Sequence, residues 1–195
     1  NDLTALVLVT EDGGVHSEFW LPAEGLVEKS RKDRVPYDLW KKQGYLNTTP
    51  GRAIEYEFVS AFLRGLFDRC NVQVMAFDRA LFTHLRPWLS KVGFSEDELE
   101  KFIPYGQGTL SMTPALRELE VKLLNKQLRH SNHPILEMCA KNAQVVGESG
   151  ARKFDKRKAN RRIDGMVALA MAVGVMPAAE ELGNIDDFIY DPLIL

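Results

Sequence analysis

The stretch RRIDGMVALAMA, residues 161–172, decides how this sequence is interpreted. From Ile163 onward it is apolar on almost every side of a helix, and a helix of that kind belongs in a core. Asp164 stands at the beginning of this helix. An Asp in a first helical turn is commonly favoured by the helix dipole. A carboxylate beside a core, however, is unfavourable unless a partner or a metal ion stabilises its charge.

A second carboxylate follows a predicted strand. Residues 72–77 form an almost continuous apolar run, as in a strand that is covered on both faces, and Asp78 comes directly after it. One carboxylate at a strand end and another at the start of a core helix commonly form a site for a hard cation. Asp78 and Asp164 are 86 positions apart, so only the tertiary fold can bring them together. As an isolated pair they are weak evidence, because most Asp residues cap helices or lie on the surface.

Positive charge is concentrated just before Asp164. Residues 152–162 contain seven basic side chains and one acidic side chain, which gives a net charge of +6. Because the whole chain has a net charge of −2, the remaining residues have a net charge of −8. Such a patch on an acidic protein suits a bound polyanion, and equally a solvated loop or the docking strip of a partner. Because these charges repel one another, segment 147–160 is predicted to be poorly ordered in the free protein.

The composition is that of a globular protein, with 195 residues, 45% hydrophobic and 27% charged. Cys70 and Cys139 lie in apolar helical contexts, which predicts small core residues in a reducing compartment. The longest apolar run is too short to span a bilayer, and the amino terminus is unlike a signal peptide, so we expect a cytosolic protein without membrane association. One domain is expected over residues 1–177, followed by a tail over 178–195 after a helix break at Pro177.

The order of the predicted elements indicates the fold class. Residues 3–10 and 15–20, joined by a Gly-Gly turn, predict a hairpin, and residues 45–49 predict the third strand of an antiparallel meander. Strands at 72–77 and 142–146, reached through helices, predict parallel additions. A short strand is also expected at 102–105. Helices are expected over 25–34, 37–43, 55–69, 80–92 with a kink or break at Pro87, from Ser95, from Pro114 to 125, and from about 134 to 141. This is the order of an α/β fold with a ribonuclease-H-like mixed sheet flanked by helices.

Several motifs, taken in order, resemble those of one family. They are Asp2-Leu3-Thr4-Ala5, Tyr37-Asp38-Leu39-Trp40 with Gly44, Leu46 and Thr49-Pro50-Gly51, Phe77-Asp78-Arg79, His130 with Pro134 and Asn142, Asp155-Lys156, and Arg162-Ile163-Asp164-Gly165. To about Val175 the chain resembles the nuclease domain of the large terminase subunit of tailed double-stranded DNA bacteriophages, in the HK97-like subtype. The resemblance implies a ribonuclease-H-like, metal-dependent endonuclease that cuts concatemeric double-stranded DNA during genome packaging.

The resemblance also implies roles for individual residues. Asp78 and Asp164 would be catalytic and would bind two Mg²⁺ or Mn²⁺ ions, which lie about 3.5–4 Å apart in two-metal sites. Hard cations of this kind prefer carboxylate oxygen. The family's first catalytic Asp is expected in a strand upstream of Asn1, and Asp2 corresponds to a more peripheral Asp of the motif. Contacts with DNA phosphates are predicted for Lys156, Lys158, Arg161 and Arg162.

The partners that the resemblance implies are double-stranded DNA, an ATPase motor domain of the same polypeptide, the portal and the small terminase subunit, in the host cytoplasm. No G-x-x-x-x-G-K-[ST] motif occurs in the sequence, so the motor is not part of this chain. Two other functions stay open. One is a non-catalytic module of the same fold that binds DNA or docks a portal-like partner. The other is a resolvase-like nuclease of the same fold that cuts branched DNA.

Overall fold

The computed structural model of the chain describes residues 3–148, 150–155, 162–183 and 193–194, without the side chains of 80, 81 and the residues from 178 onward. The strands are β1 Thr4–Val9, β2 Gly14–Pro22, β3 Asn47–Thr49, β4 Val72–Asp78, β5 Phe102–Tyr105, β6 Arg129–His130, β7 Val145–Val146, β8 Lys153–Phe154 and β9 Leu193–Ile194. The helices are α1 Leu26–Asp33, α2 Tyr37–Lys42, α3 Tyr56–Arg69, α4 Arg79–Lys91, α5 Glu96–Glu100, α6 Thr109–Leu124, α7 Pro134–Asn142 and α8 Asp164–Gly183. Among the described helices, none has the length and apolar character needed to cross a bilayer.

A mixed sheet forms the centre of the fold. Its strand order is β3-β2-β1-β9-β4-β5, and β6 pairs with β2. β1 and β2 are antiparallel from Thr4 opposite Trp20 to Val9 opposite Val15, which confirms the predicted hairpin. β5 runs parallel to β4, with Asp78 opposite Tyr105. The carboxyl ends of β4 and β5 therefore meet at one edge of the sheet, and the loop after β5 lies beside Asp78.

The third strand does not complete an antiparallel meander, so that prediction is wrong. β3 is parallel to β2, with Trp20 opposite Asn47 and Pro22 opposite Thr49. The reason lies in the connection, which contains helices α1 and α2 instead of a tight turn. A tight turn reverses the chain, whereas a helical crossover returns it to the same end of the sheet and produces a parallel pair.

The strand predicted over 142–146 is shorter and does not belong to the main sheet. β7 pairs antiparallel with β8 in a separate two-stranded sheet. The predicted loop 147–160 therefore contains a strand, and Phe154 in that strand is only 7% exposed. The side chain of Arg152 also bonds Glu120 at 2.8 Å. These contacts hold residues 150–155 in place, and charge density alone did not predict them. Residues 156–160 lie outside the described residues.

Prolines occur inside three helices. The sequence predicted a helix start at Pro114, a kink or break at Pro87 and a break at Pro177. α6 begins at Thr109 and not at Pro114, α4 is continuous through Pro87, and α8 continues through Pro177 to its end at Gly183. An internal proline removes a backbone hydrogen bond and costs about 3 kcal/mol in a helix. Tertiary packing offsets this, since α6 buries Met112, Ala115, Leu116 and Leu119.

The region predicted as a tail contributes to the main sheet. β9, at residues 193–194, lies between β1 and β4 in the strand order. It is antiparallel to β1, with Ile194 opposite Val9, and parallel to β4. Thus β1 and β4 run in opposite directions on either side of it.

α8 is the central helix, as its apolar composition predicted. Its buried side chains include Val167, Leu169, Ala170, Met171, Ala172, Val173, Val175 and Met176. It packs against β1, β4, α6 and α7. Cys139 of α7 is fully buried in the same core, and burial raises the pKa of its thiol to about 12, which confirms the prediction of a core cysteine. A second apolar cluster includes residues of α3, α4 and α5, which pack with Leu8 and Met75 of the sheet.

Candidate metal centre

Asp78 and Asp164 line the same cavity, which has a volume of about 630 Å³. Asp78 is the last residue of β4, and Asp164 is the first residue of α8. The rest of the described wall is mainly apolar and comes mostly from β1, β4, α3, α4 and α8, with Trp20 of β2 and residues 53–54. Because an apolar wall lowers the local dielectric constant, it strengthens the attraction between a carboxylate and a cation. The fold therefore places both residues that the sequence predicted as metal ligands on the wall of one cavity.

Close packing at Gly165 sets the position of Asp164. A Cβ atom on Gly165 would lie 3.0 Å from the ring of Phe19 and 3.2 Å from Cδ1 of Leu136. Glycine therefore allows the first turn of α8 to approach β2 and α7 closely. Ile163, on the other side of Asp164, is only 5% exposed. The backbone of Asp164 is thus held between two packed residues at the beginning of the helix.

Arg162 contacts the body of the protein. Its side chain is only 16% exposed, and its Nη2 lies 3.6 Å from Oδ2 of Asp33. It also interacts with the hydroxyl of Tyr37, a fully buried residue whose pKa burial raises to about 12. Its carbonyl oxygen accepts a 3.1 Å hydrogen bond from Nδ2 of Asn142. These contacts connect α1, α2 and α7 to the start of α8 and favour a supporting role for Arg162.

Gln107 is a polar residue of the cavity that sequence analysis missed. Its Nε2 donates a 2.5 Å hydrogen bond to Oδ2 of Asp78. Its Oε1 is buried and has no hydrogen-bond partner among the described residues. The register of β4 and β5 explains the contact, because Tyr105 lies opposite Asp78 and Gln107 follows two residues later. The one signal in the sequence is a polar residue between Gly106 and Gly108 directly after a strand.

Two strand edges border the cavity. On the side of β1 away from β2, the pairing of described residues is limited to Val9 with Ile194. β4 pairs with β5 from Met75 to Asp78 and with β9 only near its amino end. Residues 3–7 and 75–78 both line the cavity. Both strands thus border the cavity that Asp78 and Asp164 also line.

Comparison with known proteins identifies the family. The sequence profile described as "Terminase large subunit, endonuclease domain" matches residues 1–180. The chain belongs to this family. The terminase large subunit of Enterobacteria phage HK97 is 44% identical over 200 residues, covering 99% of this chain and 39% of the phage protein. Protein YmfN of Escherichia coli (strain K12) is 26% identical over 201 residues, covering 97% of this chain and 43% of YmfN.

The structural comparison agrees with the family. The crystal structure of the HK97 bacteriophage large terminase matches with a TM-score of 0.81 and 43% sequence identity, covering 90% of this chain and 37% of that chain. The chain spans about two fifths of the length of these relatives. The resemblance to a terminase nuclease domain is thereby confirmed, and the terminase domain has a mixed α/β fold like that of the HK97 protein.

The polar side chains in the cavity of this terminase domain carry oxygen atoms of the kind that a hard divalent cation prefers. The described residues contain no cluster of three or more His, Cys, Asp or Glu side chains that could hold a metal ion. The cavity does hold Asp78, Asp164 and the amide of Gln107. Carboxylate and amide oxygens are ligands that Mg²⁺ and Mn²⁺ prefer. A buried carbonyl oxygen without a partner is also an atom that an ion or its waters can satisfy.

The other predicted site residues lie outside the described residues. These are Lys156, Lys158 and Arg161 of the proposed DNA contact, together with Asp2 of the first motif. Within the described part of the basic segment, Lys153 is exposed, whereas Arg152 is paired with Glu120. The DNA contact of these residues stays a prediction.

Proposed function

We propose that this terminase domain is an endonuclease that hydrolyses phosphodiester bonds of double-stranded DNA, with Asp78 and Asp164 as ligands of two Mg²⁺ or Mn²⁺ ions. The observation that carries the proposal is that both carboxylates line one cavity. A sheet built from the β1-β2 hairpin and the parallel pair β4-β5 supports a ribonuclease-H-like fold. The family of the chain supports the nuclease activity.

The chain's own residues would prepare the site before DNA binds. Gln107 holds Oδ2 of Asp78, and the packing around Gly165 holds the backbone of Asp164. Divalent cations bound there would supply activation of the attacking water and neutralisation of the charge that develops on the phosphate. Because the Asp78 carboxylate is already oriented by Gln107, it would need little reorganisation during the reaction.

The resemblance adds a third carboxylate from a strand upstream of Asn1. The edges of β1 and β4 that border the cavity suit such a strand. It would run antiparallel to β1 and parallel to β4, the orientation that β9 has further along these strands. We therefore propose that a polypeptide that includes this strand binds the cations more tightly than residues 1–195 alone.

The DNA is proposed to lie along the basic segment before α8. Lys156, Lys158 and Arg161 would contact phosphates, which gives binding without sequence preference. For Arg162 we propose support of Asp164 in place of phosphate contact, because its guanidinium faces Asp33 and Tyr37. The ATPase motor, the portal and the small terminase subunit are the partners that the family suggests, and the host cytoplasm is the proposed location.

Incubation with supercoiled plasmid tests the function. With Mn²⁺ the protein should produce linear DNA, and EDTA should abolish cutting. A protein that binds DNA but does not cut it with Mn²⁺, even when the upstream strand is included, would indicate the non-catalytic module. Preferential cutting of four-way junctions over plain duplex would indicate the resolvase-like nuclease.

A further inference from the structure

Gln107 is held beside Asp78 by the loop between β5 and α6. Gly108 is the N-cap of α6, and a Cβ atom on Gly106 would lie 3.0 Å from the hydroxyl oxygen of Ser111. Glycine at 106 therefore lets the loop turn closely over the first turn of α6. In the parallel pair β4-β5, this loop follows the strand next to Asp78. The contact with Asp78 thus follows from the register of the sheet and from the tight loop.

The orientation of the Gln107 amide follows from the charge of Asp78. A carboxylate only accepts hydrogen bonds, so the NH₂ end of the amide faces it. Turning the amide over would place two oxygen atoms against each other. The observed orientation leaves Oε1 buried and without a hydrogen-bond partner among the described residues. A buried carbonyl in that state is destabilising, and native proteins seldom keep one without a reason.

We propose that Gln107 is a positioning residue of the cation site. Its Nε2 fixes the Asp78 carboxylate in the cavity, and its Oε1 gains a partner when a hydrated divalent cation enters. The inference rests on the proposed function and adds to it a residue that acts through Asp78. Groups that hydrogen-bond to a metal ligand typically contribute about 10–100-fold to metal affinity.

The substitution Gln107→Met tests this role, because methionine is unbranched and of similar length but cannot replace the amide. Mn²⁺ binding is measured by isothermal titration calorimetry without DNA, and the dissociation constant should rise by about 10–100-fold. The midpoint of thermal unfolding in EDTA should change little, because the variant loses both the hydrogen bond to Asp78 and the unpaired oxygen, and these two losses act in opposite directions. The control is Gln127→Met, at an exposed glutamine after α6, which should change neither quantity.

The outcomes separate this inference from the proposed function. If the wild-type protein binds Mn²⁺ and Gln107→Met binds it equally well, the role of Gln107 is overturned while the function stands. If the wild-type protein binds no Mn²⁺, with or without the upstream strand, both are overturned. If Gln107 were a purely structural residue, its replacement by Met would lower the unfolding midpoint and leave the Mn²⁺ affinity unchanged.

A second measurement uses the wild-type protein and does not depend on the folding of a variant. The side-chain NH₂ signals of Gln107 in a ¹H–¹⁵N NMR spectrum should move when Mg²⁺ is added, because the atoms on both sides of the amide change their partners. The signals of Gln127 should stay in place. Immobile Gln107 signals at a Mg²⁺ concentration that saturates the site would overturn the inference.

Discussion

The carboxylates of Asp78 and Asp164 line one cavity, although one ends β4 and the other begins α8. Two like charges that share a cavity raise the energy of the folded protein, whereas an opposite charge between them lowers it. The amide of Gln107 offsets part of the charge of Asp78 through its 2.5 Å hydrogen bond. A cation in this cavity, as proposed above, would reduce the remaining repulsion.

Asp78→Asn and Asp164→Asn should each reduce plasmid cutting with Mn²⁺ by more than about 100-fold, the upper range for residues that only support a metal ligand. The midpoint of thermal unfolding in EDTA should change little. Each substitution removes a repelling charge, but it also weakens a favourable interaction, with Gln107 at Asp78 and with Arg162 at Asp164. Asp97→Asn, at an exposed position of α5, is the control and should cut normally. Normal cutting by either site variant would refute the ligand assignment.

Replacing Lys156 and Lys158 together by Ala should weaken DNA binding about equally for unrelated sequences. The slope of log K against log salt should become shallower by roughly 0.9 for each phosphate that the variant no longer neutralises. The control is the double change Lys41→Ala and Lys42→Ala, at exposed positions of α2. Fluorescence anisotropy at several salt concentrations measures the slope. An unchanged slope in the first variant would favour the docking-module hypothesis.

Arg162→Met should destabilise the fold without changing the salt slope of DNA binding. The change removes a positively charged partner of Asp33 and of the buried Tyr37, which should lower the free energy of unfolding by about 1–3 kcal/mol. Arg31→Met, at an exposed position of α1, should have little effect. Urea unfolding and DNA anisotropy check the two expectations. A stable variant with a shallower salt slope would show instead that Arg162 contacts phosphate.

Gly174→Ala should destabilise the protein although alanine favours helices. A Cβ atom there would overlap the hydroxyl of Tyr105 and lie 2.9 Å from Cβ of Ala115. The Tyr105 hydroxyl also donates to the carbonyl of Ser111 at 3.1 Å. We expect a decrease of about 1–3 kcal/mol in the free energy of unfolding in urea. Gly65→Ala in α3, whose nearest neighbour would be Arg69 at 3.9 Å, should instead stabilise by about 0.5–1 kcal/mol.

Glu98 should make the stability depend on acid pH. Arg64 donates two hydrogen bonds of 2.8 and 2.7 Å to its carboxylate, and these bonds, with one from the backbone of Ser95, lower its pKa from 4.5 to about 2. Because the folded-state pKa is the lower one, the stabilisation is complete above about pH 4.5 and is lost as the pH falls towards 2.

The substitution Glu98→Gln tests this, since glutamine can preserve the capping box with Ser95. At pH 7 it should lower the free energy of unfolding by about 1 kcal/mol, and the difference from wild type should shrink between about pH 4.5 and 2. Glu96→Gln, at an exposed and weakly paired position, is the control. A difference that is the same at neutral pH and near pH 2 would contradict the assignment.

The local sequence was sufficient to predict the structural elements that depend on residues close to one another in the chain. The hairpin of β1 and β2, the buried strand β4, the capping box at Ser95 and the apolar helix α8 all follow from periodicity, turn residues and caps. The motifs around Asp78 and Asp164 also indicated the family, and the family profile confirms it. Each of these features lies within a short segment, whose residues determine its preference for helix, strand or turn.

Tertiary structure decided the features that depend on contacts between distant segments. The parallel pairing of β3, the separate sheet of β7 and β8 and the prolines inside α4, α6 and α8 follow from crossovers and from packing, which outweighs local preference. The contact of Gln107 with Asp78 depends on the register of two strands, and the partners of Arg162 come from α1 and α2. The sequence alone indicates which residues can carry charge and hydrogen bonds. Which of them meet depends on packing between segments, because the energies of those contacts exist only after the chain has folded.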